Sequence, residues 1–94
     1  MDLNQRFSIN KEIVYREEDD GAFLFDPDSG NLKYMNLTGR KIFLMLKEKR
    51  DFSQAIAHIH GQHPDLDLEQ VRKDVKIFLE QLKENGFVSP RDGE

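Results

Sequence analysis

His58, His60 and His63 are the only imidazoles in this 94-residue chain, and their closeness raises the question of a metal. A helix turns about 100° per residue, so His58 and His60 point about 200° apart and only His60 and His63 share a face. Pro64 disturbs the backbone beside them, no carboxylate stands at ligand spacing, and two imidazoles fall short of a zinc ligand set. They read as surface polar residues, and no metal is expected. Asp19-Asp20-Gly21 and Asp26-Pro27-Asp28-Ser29-Gly30 have the composition of calcium ligands without the spacing of a calcium loop. Turn chemistry accounts for both: Pro fixes a dihedral, Asp bonds the nearby backbone and Gly accepts a positive φ. The chain has no cysteine, which removes disulfides, thiolate metal sites and thiol nucleophiles. It also lacks a Gly-rich phosphate loop, a nucleophile elbow and a serine paired with histidine. No catalytic constellation and no cofactor site emerge, so an enzyme is not expected.

Length and charge bound the remaining classes. Ninety-four residues with 37% hydrophobic content suit one compact domain. No stretch is apolar enough to span a membrane, and the sequence from Met1 to Glu12 lacks the apolar centre of a signal peptide, so a cytoplasmic protein without a membrane partner is expected. With 18 acidic against 14 basic residues, the net charge of −4 disfavours a nucleic-acid partner, which needs a surplus of Lys and Arg on some face. The basic clusters at Lys47, Lys49 and Arg50 and at Arg72, Lys73 and Lys76 are interrupted by Glu48, Asp51, Glu69 and Asp74, as on a solvated helix face.

The best-marked element runs from Asp67 to Val88. Asp67 is placed to cap a helix and Gln70 to complete a capping box. Val71, Val75, Phe78 and Leu82, with Leu79 alongside, form one apolar stripe. Asn85-Gly86 marks its end, and Phe87-Val88 reads as a hydrophobic tail folded back on the core. Upstream, residues 1–11 read as a flexible arm, 12–88 as the domain and 89–94 as a tail. Ile13 to Arg16, Ala22 to Phe25 and Leu32 to Met35 read as three antiparallel strands, the second apolar on both faces and therefore expected to be covered on both sides. Thr38 to Lys49 reads as a first helix capped by Asn36 or Thr38 and buried nearly all round. A second helix, capped by Ser53, carries Ala55, Ile56 and Ile59 and stops near Gly61. The expected class is α+β, a three-stranded antiparallel meander followed by a three-helix bundle, in the order β-β-β-α-α-α.

On the last helix, Ile77 falls opposite the core stripe with Gln70, Asp74 and Gln81; a lone exposed isoleucine is ordinary on a solvated face, and the alternative is a groove wall.

Gly21 through Phe25, the Asp-Pro-Asp-x-Gly turn at 26–30, Met35-Asn36 with Thr38, and Ile42 with Leu46 occur in an order and spacing continued by Ile56 and Ile59, then Val71, Asp74-Val75, Phe78-Leu79, Leu82 and Gly86. From about Ile13 to Val88 the chain thereby resembles the PqqD-like family, named for pyrroloquinoline quinone (PQQ) synthesis protein D. Where that family often has an Asp-Gly turn between its first two helices, this chain has Lys47-Glu48-Lys49-Arg50-Asp51, which leaves room for a longer first helix. The resemblance implies a winged helix-turn-helix-like recognition element for ribosomally made, modified peptides (RiPPs). It further implies a non-catalytic adaptor that binds the leader of a precursor peptide by strand addition and presents it to a modifying enzyme of the radical S-adenosylmethionine (SAM) type, as in PQQ biosynthesis. Carried onto this sequence, the pairing edge is Leu32, Lys33, Tyr34 and Met35, and Val71, Asp74, Val75, Ile77 and Phe78 lie across the groove. The rival expectation on the same fold is a winged-helix transcription factor reading DNA with Arg72, Lys73 and Lys76.

Overall fold

A computed structural model describes residues 1–91. Val14–Glu18 (β2), Gly21–Phe25 (β3) and Leu32–Asn36 (β4) form an antiparallel meander in that order, followed by helices Leu37–Lys47 (α1), Phe52–Gln62 (α2) and Leu68–Glu84 (α3). This is the α+β arrangement that the sequence patterns predict. A second, two-stranded sheet joins the ends of the chain: Arg6–Ile9 (β1) pairs antiparallel with Val88–Arg91 (β5), with Ile9 opposite Val88 and Arg6 opposite Arg91.

That second sheet changes the role of the N-terminal segment. Phe7 is fully buried, and the carbonyls of Leu3 and Gln5 accept the backbone N–H groups of Ser53 and Phe52 at 2.9 Å each. The first turn of any helix has donors without intrahelical partners, and the segment supplies acceptors for two of them. Residues expected to form a flexible arm thus supply a strand, a core side chain and part of a helix cap. Of the segment 89–94, Ser89, Pro90 and Arg91 complete β5, and residues 92–94 lie outside the described residues.

The β3–β4 turn forms as its composition suggests. Asp26 is buried but satisfied, since its carboxylate accepts from Asp28 N–H at 2.9 Å and Ser29 Oγ–H at 3.0 Å, and its carbonyl accepts from Gly30 N–H at 2.8 Å. Across the meander, Leu24 stands between Tyr15 and Lys33, and Ala22 pairs with Met35. Ala22, Leu24 and Met35 are buried under the helices, and Tyr15 stacks on Phe43 with ring centres 5.6 Å apart. The opposite face is open: Phe23 is half-buried and Phe25 exposed. The expectation that β3 is covered on both sides therefore fails, because every helix lies on one side of the sheet and an apolar run does not reveal what covers it.

Arg40 ties the helices to the hairpin. Its guanidinium donates to the carbonyls of Glu18 at 2.7 Å and Gly21 at 3.2 Å, holding the β2–β3 turn against α1. Two helix starts differ from the sequence expectation. Asp51, not Ser53, caps α2: it accepts from Gln54 N–H at 2.9 Å while Gln54 Oε1 accepts from Asp51 N–H at 2.9 Å, and Ser53 Oγ–H donates to the same carboxylate at 2.7 Å. Burial alone pushes the Asp51 carboxyl up, but these donors and nearby Arg6 outweigh it and hold it below its ordinary value. At α3, Asp67 caps through Glu69 N–H at 3.4 Å, whereas Gln70 closes no box and donates instead to Asp74 Oδ1 at 2.9 Å.

Helices α1 and α3 end in the same hydrogen-bonded motif with different residues at its left-handed position. In α3, Gly86 (φ 80°) occupies it, with Phe87 N–H donating to Leu82 O at 2.9 Å and Gly86 N–H to Lys83 O at 3.1 Å. In α1, Lys49 (φ 65°) stands there, with Arg50 N–H donating to Met45 O at 3.0 Å and Lys49 N–H to Leu46 O at 2.9 Å. The first helix therefore stops at Lys47, two residues short of the Lys49 that the sequence pattern predicts.

Phe7→Ala should destabilise the fold by about 3–5 kcal/mol in urea unfolding, as a buried aromatic does and a loose arm does not. Lys49→Gly should stabilise by about 0.5–1 kcal/mol, because glycine adopts the left-handed conformation without Cβ strain, while Gly86→Ala should destabilise by about 1 kcal/mol.

Candidate functional site

Strand β4 lies at the edge of its sheet. The N–H of Asp26 donates to the carbonyl of Asn31 at 2.9 Å, which sets the phase of the β3–β4 ladder. Bonded and non-bonded pairs alternate in an antiparallel ladder, so Leu24 with Lys33 and Ala22 with Met35 are the bonded pairs. The N–H and C=O groups of Leu32 and Tyr34 are then turned to the free edge. Side chains alternate in the same rhythm, placing Lys33 and Met35 on the helix side and Leu32 and Tyr34 on the open face.

The helix side of β4 is joined to α3 through side chains. Lys33 Nζ donates to Gln81 Oε1 at 3.3 Å and stands 5.8 Å from the centre of the Phe78 ring. Asn31 Nδ2 donates to the Asn85 carbonyl at 3.0 Å at the far end of the helix. Toward the start of α1, the chain turns from strand to helix without a loop, and Asn36 caps the helix by accepting from Gly39 N–H at 2.9 Å. A Cβ on Gly39 would sit 3.1 Å from the Phe78 ring and 3.2 Å from Met35 Cβ, so the glycine permits this close approach.

Beside that junction lies a cavity of about 410 Å³. Its α3 wall is Val71, Asp74, Val75 and Phe78, and its opposite wall comes from Asn36, Thr38, Gly39 and Ile42 of the β4–α1 junction. Ile59, His63 and Leu66 close the end toward the α2–α3 connection. Val71 and Val75 are core residues that show only their edges to this space, whereas Asp74 is exposed and Phe78 half-buried. The surface is thus mainly apolar, with polar groups at Asn36, Thr38, His63 and Asp74.

The residues expected at a peptide groove separate into three groups. Val71, Asp74, Val75 and Phe78 come together on the cavity wall. Leu32, Lys33, Tyr34 and Met35 form the neighbouring edge strand, with Met35 buried beneath it. Ile77 is exposed and does not line the cavity. Sequence reasoning overlooked the wall formed by Thr38, Gly39 and Ile42 and the closure by His63 and Leu66. Gly39 was the available signal, since a glycine inside a helix disfavours the helix unless something packs close to it.

The Tyr34 phenol is held above its ordinary value by partial desolvation and by the neighbouring Asp20, and its hydroxyl donates to the Asp20 carbonyl at 3.1 Å. His60 Nε2 lies 3.1 Å from the Leu66 carbonyl. Among the described residues, no three of His, Cys, Asp and Glu converge at metal-binding geometry, and no helix is long and apolar enough to cross a membrane.

A free strand edge with its hydrogen-bonding groups turned outward, beside a mainly apolar groove walled by a helix, defines a class of small recognition domain suited to an extended chain. Residues 21–88 match the family described as Coenzyme PQQ synthesis protein D (PqqD), and the chain belongs to that family. Two solved structures share its fold. One is TbiB1, in complex with the TbiA(beta) leader peptide, with a TM-score of 0.79 and 21% identity over 87% of this chain and 94% of that one. The other is a lasso peptide synthetase B1 complexed with the leader peptide, with a TM-score of 0.78 and 24% identity over 90% of this chain and 99% of that one. No curated protein matches the chain in sequence.

The Gly39 contact yields a prediction. Gly39→Val should destabilise the fold by about 1–3 kcal/mol, because its methyls must displace Phe78 or Met35, and should shift the Phe78 ring resonances more than those of Phe52.

Proposed function

We propose that this protein is a non-catalytic, cytoplasmic adaptor that binds the leader of a ribosomally made precursor peptide by strand addition to β4 and presents it to a modifying enzyme of the radical SAM type. The observation that carries this reading is the phase of β4: the backbone groups of Leu32 and Tyr34 face outward on the edge nearest the apolar groove. Membership of the PqqD family and the leader peptides present in both fold relatives support it. PQQ synthesis is one pathway of this kind. The DNA-binding alternative draws no support from the comparisons.

Energetics divide the work between backbone and side chains. The outward groups of Leu32 and Tyr34 allow about four backbone bonds, worth roughly 0.5–1.5 kcal/mol each, or about 2–6 in total. Association costs about 4–15 kcal/mol, so pairing alone does not hold the peptide. Two or three apolar side chains seated along the groove, at about 1.5–3 kcal/mol each, supply the balance. Val71, Asp74, Val75 and Phe78 form the wall that receives them, and Lys33, outside that wall, favours an acidic residue beside the apolar run. Ile77 extends this contact only for a peptide that reaches past the cavity.

Amide chemical-shift titration with a leader peptide encoded beside this protein's gene, and with duplex DNA as control, tests the proposal. Saturable shifts at residues 31–36 and along α3, with none from DNA, are expected. Tyr34→Pro removes an N–H that faces the free edge and no bond to β3, so it should fold and bind the leader about 10-fold more weakly. Unchanged affinity in the folded variant would exclude pairing on β4.

A further inference from the structure

The open face of the meander carries apolar side chains for which the groove has no use. Leu32 is 64% exposed, Val14 54%, Tyr34 46% and Phe25 40%, with half-buried Phe23 among them. The register sets Phe25 between Val14 and Leu32, and Phe23 between Arg16 and Tyr34. Together these side chains form a continuous apolar surface across three strands, with a shallow cleft of about 370 Å³ over its Phe25 end.

Polar groups on this face are already engaged. The Arg16 guanidinium is paired with Glu18 and stands 5.6 Å from the centre of the Phe23 ring. The Tyr34 hydroxyl is bonded to the Asp20 carbonyl, and its ring leans on Phe23 with centres 5.3 Å apart. Along the β4 margin, what this face offers a neighbour is apolar.

Leu32 and Tyr34 also turn their backbone groups to the free edge. A strand added there sends alternate side chains to opposite faces, whichever direction it runs. Side chains level with Lys33 and Met35 fall on the helix side. Those level with Leu32 and Tyr34 fall on the open face, with Cβ atoms about 4.5–5.5 Å from theirs.

Resting on the strand-addition reading, we infer that the bound peptide is read on both faces and that Leu32 is a specificity-determining residue for the outer one. The segment this edge accepts is an extended run with apolar side chains at consecutive positions, because both neighbouring surfaces are apolar. A groove acting alone would select apolar residues only at alternate positions. Val14, on the far strand of the same face, lies beyond the reach of a peptide on β4, since three interstrand spacings of about 4.8 Å separate them.

The test begins with a random peptide library selected on the immobilised full chain. A synthetic consensus peptide is then titrated into the isotope-labelled wild type, Leu32→Ser and Val14→Ser, both substitutions being at exposed positions. Selection of consecutive apolar residues, about 5- to 10-fold weaker binding to Leu32→Ser and unchanged binding to Val14→Ser are expected, with amide shifts at residues 32–36 and α3. Peptides that give those shifts but carry apolar residues only at alternate positions, or bind Leu32→Ser as well as wild type, overturn the two-faced reading and leave strand addition standing. Equal weakening by Val14→Ser places the peptide across the sheet and overturns the inference. Failure of every selected peptide to shift β4 and α3 removes strand addition and this inference together.

Discussion

The contact on which this architecture depends is the meeting of Met35, Gly39 and Phe78. Met35 belongs to an edge strand with one ladder partner, Gly39 to the first turn of α1 and Phe78 to the middle of α3. Because β4 passes into α1 without a loop, through the Asn36 cap, moving the strand means moving the helix. A strand paired on one side is held in a sheet by its other contacts, and here those contacts are side chains buried beneath it. The close approach at Gly39 allows the outer edge to remain unpaired and still keep its position.

Free edges invite unwanted pairing, and the two sheets handle this differently. In the two-stranded sheet, β5 contains Pro90, which lacks a backbone donor, and Lys49 O accepts from Arg6 Nε at 3.1 Å near the other strand. On β4 the charged residue is Lys33, whose ammonium is engaged by Gln81 and the face of Phe78 on the helix side. A charge at that position discourages indiscriminate strand pairing while leaving the neighbouring backbone groups accessible. The ion pairs contribute little to holding the frame, since Arg16–Glu18, Arg40–Glu17 and Arg72–Glu69 each have an exposed partner. Burial of Phe7, Phe43, Phe52 and Phe87 does much more.

Much of this frame was legible in the sequence because it is encoded locally. The stripe Val71, Val75, Phe78 and Leu82 with Leu79 alongside, of which Phe78 is only half-buried, the turn at Asp26 and the helix stop at Gly86 each depend on residues within a few positions of one another. What was not legible depends on distant or competing partners. Phe7 and Ile9 alternate with polar residues too briefly to identify a strand, and their ladder partners are at the other end of the chain. Asp51 and Ser53 are both good caps, and the ionised carboxylate is the stronger acceptor, leaving Ser53 as one of its donors. The face of β3 bearing Phe23 and Phe25 was misread because apolarity identifies a surface suited to burial without identifying what buries it. The groove wall at Gly39 was missed because a glycine within a helix signals a close approach without naming the Phe78 and Met35 side chains that make it.

Separating the frame from the recognition surface has a consequence for how such a domain changes specificity. In the proposed binding mode, backbone pairing at β4 would depend on the direction of N–H and C=O groups and be nearly indifferent to side chains, so it would preserve the position of a bound strand while its sequence varied. Discrimination then falls to side chains outside the junction of Met35, Gly39 and Phe78. Asp74, His63 and Leu66 line the cavity from α3 and the α2–α3 connection, and altering them changes chemistry and shape without disturbing the strand-to-helix passage. The structural likeness to chains only 21% and 24% identical shows how far sequence can drift while the frame persists. In this chain, the physical requirement that the frame meets is a short strand anchored from beneath and open at its side.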